Sequence, residues 1–284
     1  MVRIFTDSAA NLPEEQLQRY GIGVFPMQYS LEHGVLPEET FQGHVFYENM
    51  RQGATVMTSM ANPQDALQQV EASLRKGEDA LYLGISSGIS GTCFGIATAL
   101  EELKQQYPTR RICTFDTRGA SLGEGLIVLR IAAMAQKDAH MDTLLTEAAG
   151  LRSRMRQLFM VDDPVYLYRG GRLSRGTAAV GSILQIRPIL QGSAEGKIIL
   201  QQRVRGKKKA IEHLAAQWKS LRTGDSEPVG IAHADCPRDA IHLQALLREA
   251  DCTAEILNVC YEPVTGSHVG PGALALFFPG ESWR

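Results

Sequence analysis

The sequence predicts an α/β protein of two domains, and three observations carry that expectation. Through the first half, short apolar runs alternate with amphipathic helical patterns, the signature of a largely parallel sheet with helices on both faces. Beyond about residue 155 the texture changes, with a Gly- and Arg-rich stretch followed by a second set of strand patterns. At 284 residues, 44% of them hydrophobic, the chain is long enough to bury two cores of ordinary size.

In chain order, Val2–Phe5, Gly23–Met27, Ala80–Ile85 and Arg111–Phe115 read as strands. Pro13–Tyr20, Glu39–Arg51, Pro63–Arg75, Cys93–Gln106, Gly119–Ala135 and His140–Arg156 carry helical periodicity. Then come the cationic stretch Tyr166–Arg175, an apolar stretch at Ala178–Ile189 and a strand at Ile198–Val204. Lys207–Leu221 and Arg238–Glu249 read as helices, and Pro228–His233, Ala254–Val259 and Ala273–Phe278 as strands. The boundary is placed at 157/158, giving domains 1–157 and 158–284.

Charge and cysteine usage narrow the function classes. With 29 Lys+Arg against 31 Asp+Glu the net charge is -2, which gives no pull toward nucleic acid. The N-terminus lacks a signal-like apolar segment, and no run approaches the roughly 20 apolar residues of a membrane helix, so no stable membrane insertion is expected. The five cysteines are odd in number and form no CxxC pair. Neither zinc nor a disulfide framework is expected, and reduced thiols point to a cytoplasmic protein. No exposed apolar stripe stands out, so a monomer is expected.

In parallel α/β sheets ligands lie beyond the carboxyl ends of the strands. The segment Ser86-Ser87-Gly88-Ile89-Ser90-Gly91-Thr92 joins a buried strand to a helix and contains neither a cation nor a carboxylate. Backbone N–H groups at the helix start, with hydroxyls around them, suit a modest anion such as a carboxylate or one phosphate. Thr58-Ser59-Met60-Ala61-Asn62-Pro63 is a second hydroxyl-rich lead-in. Asn62 suits an N-cap and Pro63 the first helical position, while Thr58 and Ser59 are free of that duty.

Thr6-Asp7-Ser8 ends the first strand. Asp7 has the position of a phosphoaspartate nucleophile but no second acid in a DxD pattern, so closing a turn competes with that role; Asn11 is a candidate cap for the helix opening at Pro13. Asp116-Thr117-Arg118-Gly119-Ala120-Ser121 reads as the N-terminal cap of a close-packed, small-residue helix, with room for a ligand tail as the alternative. Arg169 and Arg172 lie in a Gly-rich loop whose guanidinium groups can fork onto carboxylate or phosphate oxygens. Arg203, Arg205 and Lys207–Lys209 form a basic run at a strand-to-helix junction. His268, in Ser267-His268-Val269-Gly270-Pro271-Gly272, is either a hydrogen-bond donor to an anion or a general acid–base.

In order, TDSAANLP (6–13), TSMANP (58–63), SSGISGT (86–92), DTRGASLGEG (116–125), YRGGRLSRG (168–176), GSILQIRPIL (181–190) and SHVGPGALA (267–275) resemble the DegV family of bacterial fatty-acid-binding proteins along essentially the whole chain. The resemblance implies a DegV-like fold, with a mainly parallel N-terminal sheet flanked by helices, a second α/β domain with a mixed sheet, and the ligand site between the two domains. It implies a long-chain fatty acid as ligand and no other cofactor or metal. Thr58, Ser59, Ser90, Gly91 and His268 would surround the carboxylate, and the tail would fill an apolar tunnel. It further implies a non-catalytic carrier that presents the acid to a fatty acid kinase, whose acyl phosphate product passes to phospholipid synthesis. Arg169, Arg172 and Arg205 would serve the acyl phosphate or the kinase surface. Met60-Ala61-Asn62 departs from the family's Gln-Pro-Ser-like sequence, and Ser267 stands where a Thr usually precedes the histidine. Two alternatives stay open: a phosphotransferase or hydrolase using Asp7 or His268, and a binding module for another small carboxylic acid.

Overall fold

The computed structural model describes residues 1–31, 41–174, 185–224 and 227–282. These fold into two compact units, Met1–Gln28 with Thr58–Ser153, and Tyr29–Met57 with Arg154–Arg284. Where the sequence suggests a single boundary at 157/158, the second unit therefore takes in residues 29–57 as well.

The first unit is built on a four-stranded sheet of order β2-β1-β5-β6, from Gly23–Phe25, Val2–Asp7, Asp79–Gly84 and Ile112–Asp116. All three ladders are parallel. Central strands β1 and β5 are buried along most of their length because helices cover both faces of such a sheet. The helices are α1 (Glu14–Tyr20), α3 (Pro63–Leu74), α4 (Thr92–Gln106), α5 (Leu122–Ala135) and α6 (Met141–Arg154). In α4 the buried positions Cys93, Ile96, Leu100 and Leu103 recur at three- and four-residue spacing, so one stripe faces the sheet. They join Phe5, Phe25, Val70, Leu74 and Tyr82 in one core cluster. Helix α5 is buried along most of its length, which explains its apolar composition.

The second unit has a six-stranded mixed sheet of order β11-β10-β12-β7-β8-β9. Its strands are Ile256–Cys260, Val229–His233, Leu274–Pro279, Met155–Met160, Ile186–Gly192 and Ile198–Arg205. Only β10 and β11 pair in parallel; the remaining ladders are antiparallel. Leu158, Met160, Ile231, Leu276 and Phe278 of this sheet form a core with Ile211, Leu214 and Trp218 of α8 (Lys207–Leu221) and Leu243 and Leu247 of α9 (Pro237–Glu249). Helix α2 (Gly43–Arg51) also belongs here, because the Tyr47 hydroxyl donates to the Tyr261 carbonyl at 2.8 Å. A two-stranded sheet of β3 (Gln28–Leu31) and β4 (Val56–Ser59) forms where the chain passes from the first unit to the second and returns.

The expected α/β class holds, with specific corrections. The helix expected at His140–Arg156 stops at Arg154 and the chain turns at once into β7, a strand absent from the sequence reading, as are β3 and β4. Asn11 does not cap α1. It takes a left-handed conformation (φ 53°) and closes a short 3-10 turn at Ser8–Ala10, its N–H donating to the Ser8 carbonyl. Asn62 does cap α3, accepting from Gln64 N–H at 3.1 Å, with Pro63 in the first turn. The start of the expected helix 39–51, Arg175, and most of the apolar stretch 178–189 lie outside the described residues.

Candidate functional site

In the first unit, the carboxyl end of β5 runs into the Ser86–Thr92 loop, and a buried carboxylate holds that junction. Asp7, at the end of β1, is 0% exposed. Its Oδ2 accepts from the Tyr82 hydroxyl at 2.7 Å and the Ile85 N–H at 3.0 Å, and its Oδ1 from the Ala9 N–H at 3.1 Å. Burial pushes its carboxyl up to about 6, although the three hydrogen bonds oppose the rise. Enclosed in this way, Asp7 is a strut that ties β1 to Ile85, the residue just before the loop.

The loop is internally braced as well. Ser86 N–H donates to the Gly119 carbonyl at 2.8 Å, and Ser86 Oγ accepts from Gly88 N–H at 3.1 Å. Ser87 donates through its hydroxyl to Asp116 Oδ2 at 2.6 Å. Asp116 also accepts from Arg118 N–H at 2.8 Å, so its carboxylate knits two strand-end loops together. That leaves Ser90 as the half-buried hydroxyl nearest the start of α4. Its Oγ accepts from Thr92 N–H at 3.2 Å and lies 3.0 Å from Thr92 Oγ1. Gly91 stands at the N-cap with no side-chain cap, and the orphan N–H groups of the first turn follow it.

Thr58 and Ser59 end β4, Thr58 half-buried and Ser59 exposed. Their segment meets the loop through the next residue. The Met60 sulfur lies 2.7 Å from where a Cβ on Gly91 would stand, so only glycine fits there without moving the thioether. The backbone of Gly91 (φ −79°) would suit any residue, and the exposed Met60 side chain is its one close neighbour among the described residues. Cys93 lies two residues on from Gly91, but burial pushes its thiol up to about 12, which leaves it un-ionised at neutral pH.

The second unit holds the remaining candidates. His268 sits in the last turn of α10 (Pro263–Val269), where the sequence suggested an open Gly-rich loop. Glu262 caps that helix, accepting from the N–H groups of Val264 and Thr265 and from the Thr265 hydroxyl, each at 2.6 Å. An acidic residue followed by Pro at the first helical position is a start signal that could have revealed it. The Ser267 hydroxyl donates back to the Val264 carbonyl at 2.8 Å.

His268 Nδ1 crowds the position a side chain on Gly170 would occupy. Burial, with the Arg172 charge beside it, pushes the His268 imidazole down to about 4, so it is neutral at pH 7. Arg172 donates to the Gly170 carbonyl, and its own burial lowers its pKa. Gly170, Arg172 and His268 thus form one cluster. Arg169 ends the short helix α7 (Val165–Arg169) and is exposed, in place of the loop position expected of it. Arg205, also exposed, ends β9 opposite Ile186.

Among the described residues no three His, Cys, Asp or Glu side chains are grouped as metal ligands. Nor is any helix among them long and apolar enough to cross a membrane.

Comparison with known proteins gives a consistent result. A family model described as an uncharacterised protein of the DegV family matches residues 1–281. A DegV domain-containing protein of Clostridium perfringens is 32% identical over 283 residues, covering 98% of this chain and 97% of the relative. A solved structure described as fatty acid binding of a DegV family protein from Thermus thermophilus matches with TM-score 0.89 and 26% identity, covering 99% of both chains. DegV of Bacillus subtilis, described as a fatty acid binding protein, matches with TM-score 0.82 and 26% identity, again covering 99% of both.

Proposed function

Because the chain belongs to the DegV family, we propose that it binds a long-chain fatty acid as a non-catalytic carrier, its carboxylate held by the hydroxyls of Thr58, Ser59 and Ser90, the backbone at Gly91, and His268. The observation that carries this reading is the uncharged start of α4, where Ser90 Oγ caps the Thr92 N–H and Gly91 at the N-cap adds no side chain over the N–H groups that follow. Such a site orients a carboxylate through neutral donors and the helix dipole. Affinity then comes mainly from the tail: about fifteen methylenes at about 0.8 kcal/mol each is ample for tight binding.

Neutral donors also suit a carboxylate that must react. Two guanidinium forks would hold both oxygens, whereas hydroxyls and amides leave one oxygen nucleophilic. In this reading a separate fatty acid kinase transfers the terminal phosphoryl of ATP to that oxygen, forming acyl phosphate and ADP. Arg169, Arg172 and Arg205 serve the acyl phosphate or the kinase surface, and the carrier is a cytoplasmic monomer. The burial of Asp7 favours this over covalent catalysis by that residue. Calorimetric titration of delipidated protein with palmitate tests it. One site per chain is expected, with Ser90→Ala weakening it about tenfold or more through loss of a hydrogen bond to a charged group; failure of palmitate to bind would overturn the carrier reading.

A further inference from the structure

We infer that Thr92 is a positioning residue for the carboxylate site: its buried hydroxyl donates to Ser90 Oγ and so turns the Ser90 proton outward toward the ligand. The inference rests on the carrier reading and deepens it, and its ground is a count of protons and lone pairs.

Thr92 is 1% exposed, and its Oγ1 lies 3.0 Å from Ser90 Oγ. Among the described residues the Thr92 hydroxyl has no other hydrogen-bond partner. A single proton occupies the line between the two oxygens, and either hydroxyl can supply it. If Ser90 donates, the Thr92 proton is left buried without an acceptor, an arrangement folded proteins avoid. If Thr92 donates, its proton is satisfied, and Ser90 Oγ uses both lone pairs, one for the Thr92 N–H at 3.2 Å and one for the Thr92 hydroxyl. The Ser90 proton then has only the outward direction left. Ser90 is half-buried and Gly91 beside it is exposed, so that direction leads away from the core.

Two consequences follow for the head group. The Ser90 hydroxyl is set as a donor before the ligand arrives, so no rotor needs to be frozen on binding. Accepting two hydrogen bonds also polarises it and strengthens the bond it gives to a carboxylate. No proton is transferred; both hydroxyls remain neutral throughout. The spacing of the pair, a serine two residues before a threonine in the first turn of a helix, resembles ordinary capping, and the difference lies in the burial of the second hydroxyl.

The test is a double-mutant cycle on delipidated full-length protein titrated with palmitate, comparing wild type, Thr92→Val, Thr92→Ser, Ser90→Ala and the Ser90→Ala/Thr92→Val pair. Thr92→Val should weaken binding about tenfold, Thr92→Ser should keep wild-type affinity, and Thr92→Val should add nothing once Ser90 is alanine. Should valine fail to fold, Thr92→Ala takes its place in the same cycle. Equal affinity of Thr92→Val and wild type would overturn the inference, as would the same loss in both backgrounds, which marks a purely structural role. If Ser90→Ala binds palmitate as tightly as wild type, the premise falls and this inference with it, while the carrier reading stands. If the wild type binds no palmitate, the carrier reading itself fails.

Discussion

The two units hold their candidate residues with the same device, a carboxylate that braces backbone N–H groups, but in opposite electrostatic settings. In the first unit Asp7 is sealed in the core, and the residues it braces, Ile85 and the loop beyond it, are neutral. In the second unit Glu262 is only partly buried, and the helix it caps ends at an imidazole crowded by an arginine. The first arrangement favours a rigid, uncharged cradle. The second keeps a histidine neutral next to a cation, so that it offers a hydrogen bond without adding a second full positive charge. The difference teaches that one bracing device can support an uncharged hydroxyl-rich loop in one unit and a neutral histidine beside a cation in the other.

The largest effect that could break this comparison is expected at Asp7. Asp7→Ala leaves three buried donors without an acceptor and should cost about 3 kcal/mol of stability, read by denaturant unfolding; a loss below about 1 kcal/mol would show the strut to be dispensable. Its pH signature has a definite sign. With the carboxyl raised from 3.8 to about 6, the folded state holds a proton that the unfolded state releases. Stability contributed at this site is therefore fully present below pH 3.8 and falls as pH rises to about 6, by about 3 kcal/mol in all. Asp7→Ala should remove that slope.

A smaller effect is expected at Glu262. Glu262→Ala should cost about 1 kcal/mol, the usual value of a lost N-cap, and should loosen the helix that carries His268. Faster amide exchange at Val264 and Thr265 would confirm the cap, and unchanged exchange there would contradict it.

The smallest effect, and the sharpest on the electrostatic contrast, concerns His268. Burial and the Arg172 charge lower its pKa to about 4, so Arg172→Ala should move the His268 titration upward, toward but short of the ordinary histidine value. NMR of the imidazole reads this directly. A histidine already titrating near 6.5 in the wild type would refute the lowering by burial and the Arg172 charge.

Much of this architecture is legible in the sequence where a segment is long and periodic. Helices α3, α4, α8 and α9 and the buried strands β1, β5 and β10 fall within a few residues of their expected bounds. β3 is missed because its four residues alternate between exposed and half-buried positions and carry no apolar run. β7 is missed because Met155, Leu158 and Phe159 continue the spacing of the preceding helix, and only pairing to β12 and β8 decides the matter. At the site, the loop chemistry of Ser86–Thr92 and the cap at Asn62 can be read locally. The Asp7–Tyr82 bond joins residues 75 positions apart, and the crowding of His268 against Gly170 spans about a hundred positions. No local pattern encodes either. The Thr92–Ser90 pair lies two residues apart in sequence, yet which hydroxyl faces out depends on burial, which only the fold supplies.

The central claim is that this chain carries a long-chain fatty acid in a site that does no chemistry of its own. Native mass spectrometry of the freshly purified protein tests it most directly. A population bound one-to-one to a long-chain fatty acid, released intact on denaturation with no phosphate or acyl group left on the protein, is the predicted result. A spectrum showing only the free chain or a short metabolite acid, or a covalent adduct on Asp7 or His268, would contradict it.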